Sequence, residues 1–137
     1  MVQMNINYQT TKEFQAEALQ SLFLSVEWSS GNYPQKLQEA MIKADAVISA
    51  WDGEKLVGLM NCLSDGMTAY FHYLLVMPEY QGKGIGKEIM RRMLECCDGC
   101  ITKVLIAYAE QVPFYELCGF KAGDDFSKPM FLTSIQL

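Results

Sequence analysis

The residues Leu74, Leu75, Val76, Met77 and Pro78, followed shortly by Gln81, Gly82, Lys83, Gly84, Ile85, Gly86 and Lys87, are of the types that hold a diphosphate. An apolar strand breaks at Pro78, and a glycine-rich loop leads straight into a segment of helical periodicity. Glycine lets the backbone take positive φ and come close to a ligand. The first N–H groups of a helix have no partner inside it and point outward. Together with the helix dipole they make a seat for a pyrophosphate, and Lys83 and Lys87 add charge at its rim.

Spacing separates the phosphate loops that look alike. A Walker loop needs Ser or Thr after Gly-Lys, whereas Gly86 and Lys87 are followed by Glu88. A dinucleotide loop needs G-x-G-x-x-G, and counting from Gly82 and Gly84 the third position holds Lys87. The remaining pattern is Q-x-x-G-x-G, on Gln81, Gly84 and Gly86. A ligand-free turn is the alternative, but glycines clustered this densely are costly where nothing requires them.

The elements that must position this loop follow from periodicity. Asn5, Ile6, Asn7 and Tyr8 alternate as a half-buried strand does. Thr10 or Thr11 is the expected N-cap of a helix carrying Phe14, Ala18, Leu19, Leu22 and Phe23. After a loop with Gly31, Asn32 and Pro34, a short helix places Leu37, Ala40 and Met41 on one face. Asp52 and Gly53 mark a hairpin between two apolar runs, and Asp65 and Gly66 mark the next turn. Residues 68–77 read as a long strand stopped by Pro78. Ile85, Ile89, Met93 and Cys97 recur every four residues, as on an amphipathic helix. Residues 104–109 read as a strand buried on both faces. Pro113 opens a helix with Phe114, Tyr115 and Leu117, and Gly119 closes it. The tail is expected to add one or two closing strands, with Phe131, Leu132 and Ile135 in the core. This order predicts an α/β fold of mixed α+β type: a central mixed, mostly antiparallel sheet of roughly six to seven strands flanked by about four helices.

Bulk properties narrow the function. A chain of 137 residues is the size of one domain, here taken as residues 1–137. No apolar run approaches the ~20 residues of a membrane span. The N-terminus lacks the basic start and apolar stretch of a signal peptide, so a cytoplasmic protein without membrane association is expected. The net charge of −5, without a run of Lys or Arg, argues against nucleic acid and suits a cationic small molecule. Five cysteines fit free thiols in a reducing compartment. Cys96, Cys97 and Cys100 include a C-x-x-C spacing, but no second ligand pair accompanies it and the single histidine, His72, is distant in sequence. The pair also falls at a helix C-terminus, not the N-terminus where a redox thiol is activated. No metal is expected.

Q-x-x-G-x-G after a strand ending in Val-x-Pro resembles the acetyl-CoA motif of the GNAT superfamily of N-acetyltransferases. Pro113, Phe114, Tyr115, Glu116, Leu117, Cys118, Gly119 and Phe120 are similar to that family's F-Y-x-x-x-G-F helix, and the element order agrees over nearly the whole chain. The resemblance implies acetyl-CoA as cosubstrate, with Leu74, Leu75 and Val76 along the pantetheine arm and the amides of residues 82–87 on the pyrophosphate. It implies Tyr115 as the general acid that protonates the departing thiolate. His72, read as sharing side-chain parity with Leu74 and Val76, resembles a histidine base of arylalkylamine N-acetyltransferases; Glu27, Glu110 or an ordered water are its rivals. Tyr108 stands where many relatives carry a cofactor-contacting asparagine. Trp28 and Tyr33 are candidates for the acceptor pocket, with packing as the alternative.

The expected activity is acetyl transfer from acetyl-CoA to a primary amine of a small molecule. The alternatives are a protein or peptide N-acetyltransferase and a non-catalytic acyl-CoA-binding domain. Family analogy allows a homodimer.

Overall fold

The computed structural model describes residues 5–123 and 127–135. Its sheet has five strands in sequential order: β1 (Ile6–Gln9), β2 (Ala46–Asp52), β3 (Lys55–Ser64), β4 (Thr68–Val76) and β5 (Thr102–Leu105). The first three pairings are antiparallel and the last is parallel. A parallel pair needs a crossover, and α3 (Ile85–Cys96) supplies it. The helices α1 (Ala16–Ser25) and α2 (Pro34–Lys43) pack on one face of the sheet and α3 on the other, while the short α4 (Val112–Leu117) follows β5.

Burial follows the sequence pattern closely in the centre. Ten-residue β3 is buried from Leu56 to Cys62, as a strand covered on both faces must be. Ile85, Ile89, Met90 and Met93 bury one face of α3, and Phe23, Leu19, Leu22, Leu37 and Met41 cover the opposite side of the sheet. On the outer side of α3, Arg91 and Arg92 both pair with Glu88, which holds its carboxyl down at about 2. Cys62 and Cys97 meet with their sulfurs 3.4 Å apart beneath the end of α3, and burial pushes the Cys62 thiol up to about 12. Such a thiol packs as an apolar group. Among the described residues, no helix is long and apolar enough to cross a membrane.

Three expectations need correction. The helix expected to start at Thr10 or Thr11 starts at Ala16, because the Thr11 hydroxyl accepts from Glu13 N at 3.1 Å and closes a local turn instead. The segment expected to be buried on both faces ends as a strand at Leu105, with Val104 44% exposed, because no strand lies beyond it. Among the described residues the roughly six to seven strands become five, since residues 127–135 form none and leave Phe131 half exposed and Leu132 wholly so. Met130, Phe131 and Leu132 are consecutive rather than alternating, and Pro129 cannot donate to a ladder.

β4 carries an irregularity that governs the site. Asn61 pairs with Tyr73 while the next residue of β3, Cys62, pairs with Phe71, so His72 is an extra residue in a bulge. The displaced Tyr73 N–H is caught by the Asn61 side chain, Oδ1 accepting at 2.9 Å. Asn61 is only 1% exposed, so an apolar replacement leaves that donor unpaired in the interior. Asn61→Leu is therefore expected to lower stability by about 1–3 kcal/mol in a denaturant titration. Tyr73 N–H should be protected from hydrogen exchange in the wild type and lose that protection in Asn61→Leu; unchanged exchange would contradict a role for the Tyr73 bond.

Candidate active site

The cleft of the molecule is a parting of two strands. β4 and β5 pair from Thr68↔Thr102 to Phe71↔Leu105 and no further, while β4 runs on to Val76 held by β3 alone. Between residues 72 and 76, the main-chain groups of β4 that face away from β3 have no strand partner. The resulting cavity of about 990 Å³ is walled by His72, Leu74, Leu75 and Val76 on one side and by Leu105, Ile106, Ala107 and Tyr108 on the other. Its size is that of a ligand cleft, not of a packing defect.

One end of the cleft is the glycine-rich loop. Gly82 (φ 75°) and Gly84 (φ 86°) are in the left-handed region, and a Cβ on either would meet nothing within 4 Å, so the backbone lines open space. Gly84 caps α3, and its carbonyl accepts from Glu88 N at 3.0 Å. Among the described residues, no main-chain N–H of residues 82–87 has a main-chain acceptor. The loop is anchored from below: Gln81 Nε2 donates to Val76 O at 2.9 Å, and Tyr80 donates its hydroxyl to Asp52 at 2.5 Å. Gln81 is thus spent on holding the loop against the end of β4. Gly86 packs against Phe114 and Val76, at 3.6 and 3.8 Å from a built Cβ, which seats α4 beside the loop. Lys87 lines the cleft and Lys83 does not; Ile85 and Leu75 also line it, each almost wholly buried.

His72 and Tyr115 both face this cavity. The bulge changes the parity expected for His72: its ring stacks on Tyr70 at 5.4 Å and on Tyr73 at 3.9 Å, and Tyr73 in turn meets Phe23 of α1. His72 remains solvent-exposed, and partial desolvation by these rings shifts its pKa downward from the ordinary imidazole value. Tyr115 is held edge-on by Phe114 and Phe120, and burial raises its pKa, so its phenol keeps its proton. One group is ready to accept a proton and the other to give one. Glu27, Trp28 and Glu110 also line the cleft, whereas Tyr33 does not, and Tyr108 meets Trp28 at 6.4 Å across its outer end. Asn61 was not singled out from the sequence; its signal was a lone carboxamide between Met60 and Cys62 in an apolar strand.

The fit of the loop to a diphosphate can be tested without turnover. Gly84→Asp places a negative charge over the loop amides, and aspartate tolerates this φ better than most residues. Calorimetric affinity for coenzyme A is expected to fall by roughly tenfold or more while the fold is retained. Native affinity would contradict the loop assignment.

Comparison with known proteins agrees with this geometry. The family profile described as "Acetyltransferase (GNAT) domain" matches residues 10–128. The chain is 30% identical over 112 residues to GCN5-related N-acetyltransferase 3, chloroplastic, of Arabidopsis thaliana, covering 80% of this chain and 46% of that protein. It spans less than half the length of this plant relative. It is 27% identical to peptidyl-lysine N-acetyltransferase YjaB of Salmonella typhimurium, covering 96% of this chain and 98% of that one. Among solved structures, one of an acetyltransferase from Deinococcus radiodurans R1 superposes with a TM-score of 0.81 at 28% identity, covering 98% and 94% of the two chains. A complex of aminoglycoside N-acetyltransferase AAC(6')-Iy with CoA shares the fold, with a TM-score of 0.72 at 12% identity over 98% of each chain. The parted strands, the glycine loop at the start of α3 and the match over residues 10–128 lead to one conclusion: the chain belongs to the GNAT family of acetyltransferases.

Proposed function

We propose that this chain moves an acetyl group from acetyl-CoA to a primary amine of a small molecule, by direct attack of the amine. The observation that carries the reading is the meeting, in one cleft, of an open phosphate-binding loop, an unpaired β4 edge, an imidazole of lowered pKa and a protonated phenol. Acetyl-CoA, when bound, supplies an acetyl group activated as a thioester.

The rest is done by the chain's own groups. The amides of residues 82–87 take the pyrophosphate, with Lys87 beside them. The free main-chain edge at Leu74, Leu75 and Val76 aligns the pantetheine arm, and an N–H of this edge polarises the acetyl carbonyl. Such a donor contributes on the order of 3 kcal/mol to an oxyanion-forming step. An alkylamine with pKa near ~10 enters as its ammonium. His72 takes that proton, freeing the lone pair that forms the C–N bond. As the C–S bond breaks, Tyr115 gives its proton to the leaving sulfur; the second proton lost by the nitrogen restores the phenol through solvent, and His72 releases its own proton to bulk water. The transfers to His72 and from Tyr115 each contribute roughly 10²–10⁴-fold. The domain is read as residues 1–137, acting in the cytoplasm.

A peptidyl-lysine acceptor is the second reading, favoured by the similarity to YjaB along nearly both chains. A screen of polyamines, arylalkylamines, aminoglycosides, amino acids and lysine peptides, read as free-thiol release, separates the two.

Tyr115→Phe is expected to keep coenzyme A affinity within about twofold while lowering kcat roughly 10²-fold or more. In the wild type, kcat at saturating acceptor should fall on the acidic side, with a midpoint below the ordinary imidazole range, because desolvation lowers the pKa of His72 and protonation there removes the base. His72→Gln should lose that acidic limb. Unchanged turnover in the tyrosine variant, or an unchanged limb in the histidine variant, would overturn the corresponding assignment.

A further inference from the structure

Glu27 is the only non-glycine residue with positive φ among the described residues, at 62°. Its position is well defined. After α1 ends at Ser25, Glu27 N donates to Leu24 O at 3.0 Å and Trp28 N donates to Phe23 O at 3.1 Å, the paired closure of a Schellman motif. The same molecule closes α4 in the same way, with Gly119 N on Glu116 O and Phe120 N on Tyr115 O, both at 3.0 Å. There the left-handed residue is glycine, φ 100°. The sequence therefore uses glycine at one of two equivalent positions and a strained glutamate at the other. Strain of this kind persists where the side chain is needed.

Glu27 is a solvent-exposed residue of the cleft wall. It lines the cleft together with Trp28, whose ring lies 6.1 Å from Tyr73 and 6.4 Å from Tyr108. Among the described residues, Glu27 has no ion-pair partner. A carboxylate beside aromatic faces is a cation-recognising arrangement. The cation it holds is not the reacting nitrogen, because a carboxylate on that ammonium would stabilise the charged form and oppose its deprotonation. On the reading above, His72, which also lines the cleft, serves that nitrogen.

We propose that Glu27 anchors a second, non-reacting ammonium, so that the preferred acceptor is an alkyl diamine whose chain lies along Trp28 and Tyr108. This rests on the small-molecule reading above. The test compares 1,4-diaminobutane with n-butylamine, by CoA release, in the wild type, Glu27→Gln and Glu27→Gly. The wild type is expected to favour the diamine in kcat/KM by roughly five- to tenfold. Both variants should lose that preference through a rise in the diamine's KM, and Glu27→Gly should also melt roughly 2–4 °C higher than the wild type; an equal loss of kcat on both amines would overturn the anchor and make Glu27 the base instead. Equal use of the two amines by the wild type, a preference that survives in Glu27→Gln, or a lysine peptide preferred over the diamine would overturn the anchor and leave acetyl transfer standing. Absence of CoA release with every amine would instead remove the activity on which it rests.

Discussion

Main-chain donors without acceptors are costly unless they meet water or a ligand, and among the described residues those of 82–87 lack main-chain acceptors, with all of these residues but Lys83 lining the end of a cleft. The surrounding structure is arranged to keep those donors exposed. Pro78 ends β4, Gln81 holds the loop against the Val76 carbonyl, and Tyr80 ties the turn to Asp52 at the far end of β2. Left-handed glycines keep side chains away from the amides. The buried face of α3, through Ile85 and Ile89, fixes the helix whose N-terminus the loop becomes. The seat is rigid because its outer surface is backbone and its inner surface is core.

The second constraint is the parting of β4 from β5. Leu105 is the last paired residue of the edge strand, and beyond it the chain leaves the sheet toward α4. The bulge at His72 falls where the pairing ends, and Asn61 compensates the ladder bond that the bulge breaks. One irregularity thus opens the cleft, turns the imidazole onto the ring of Tyr73, and leaves the β4 edge free. Proton chemistry is then set by surroundings: partial desolvation lowers the pKa of the still-exposed imidazole, and burial raises that of the phenol. The strained Glu27 adds charge at the outer end of the same cleft, opposite in sign to Lys87 at the loop.

Local chemistry made much of this legible in sequence. Pro78, three glycines and the four-residue period from Ile85 gave the loop and helix without tertiary information, and Pro113 with Gly119 bounded α4. What depends on cross-strand register was hidden. The parity assigned to His72 assumed unbroken alternation, and nothing local to β4 announces that β3 skips a residue there. Burial of residues 104–109 was overestimated for a related reason: an apolar run shows hydrophobicity, not whether a neighbour exists to cover it. The tail failed in the same way: Phe131 and Leu132 look like core residues, but residues 127–135 form no strand and leave both exposed. Glu27 drew notice as a carboxylate, whereas its backbone conformation is visible only in the fold.

The account stands on the amides of residues 82–87 as the ligand-binding groups. Their backbone 15N–1H resonances, followed by NMR during titration with coenzyme A, report this directly. The account predicts that the largest shifts, and slowed amide exchange, fall on these six residues and on the free edge of β4. Saturable binding that leaves the loop resonances in place would contradict it.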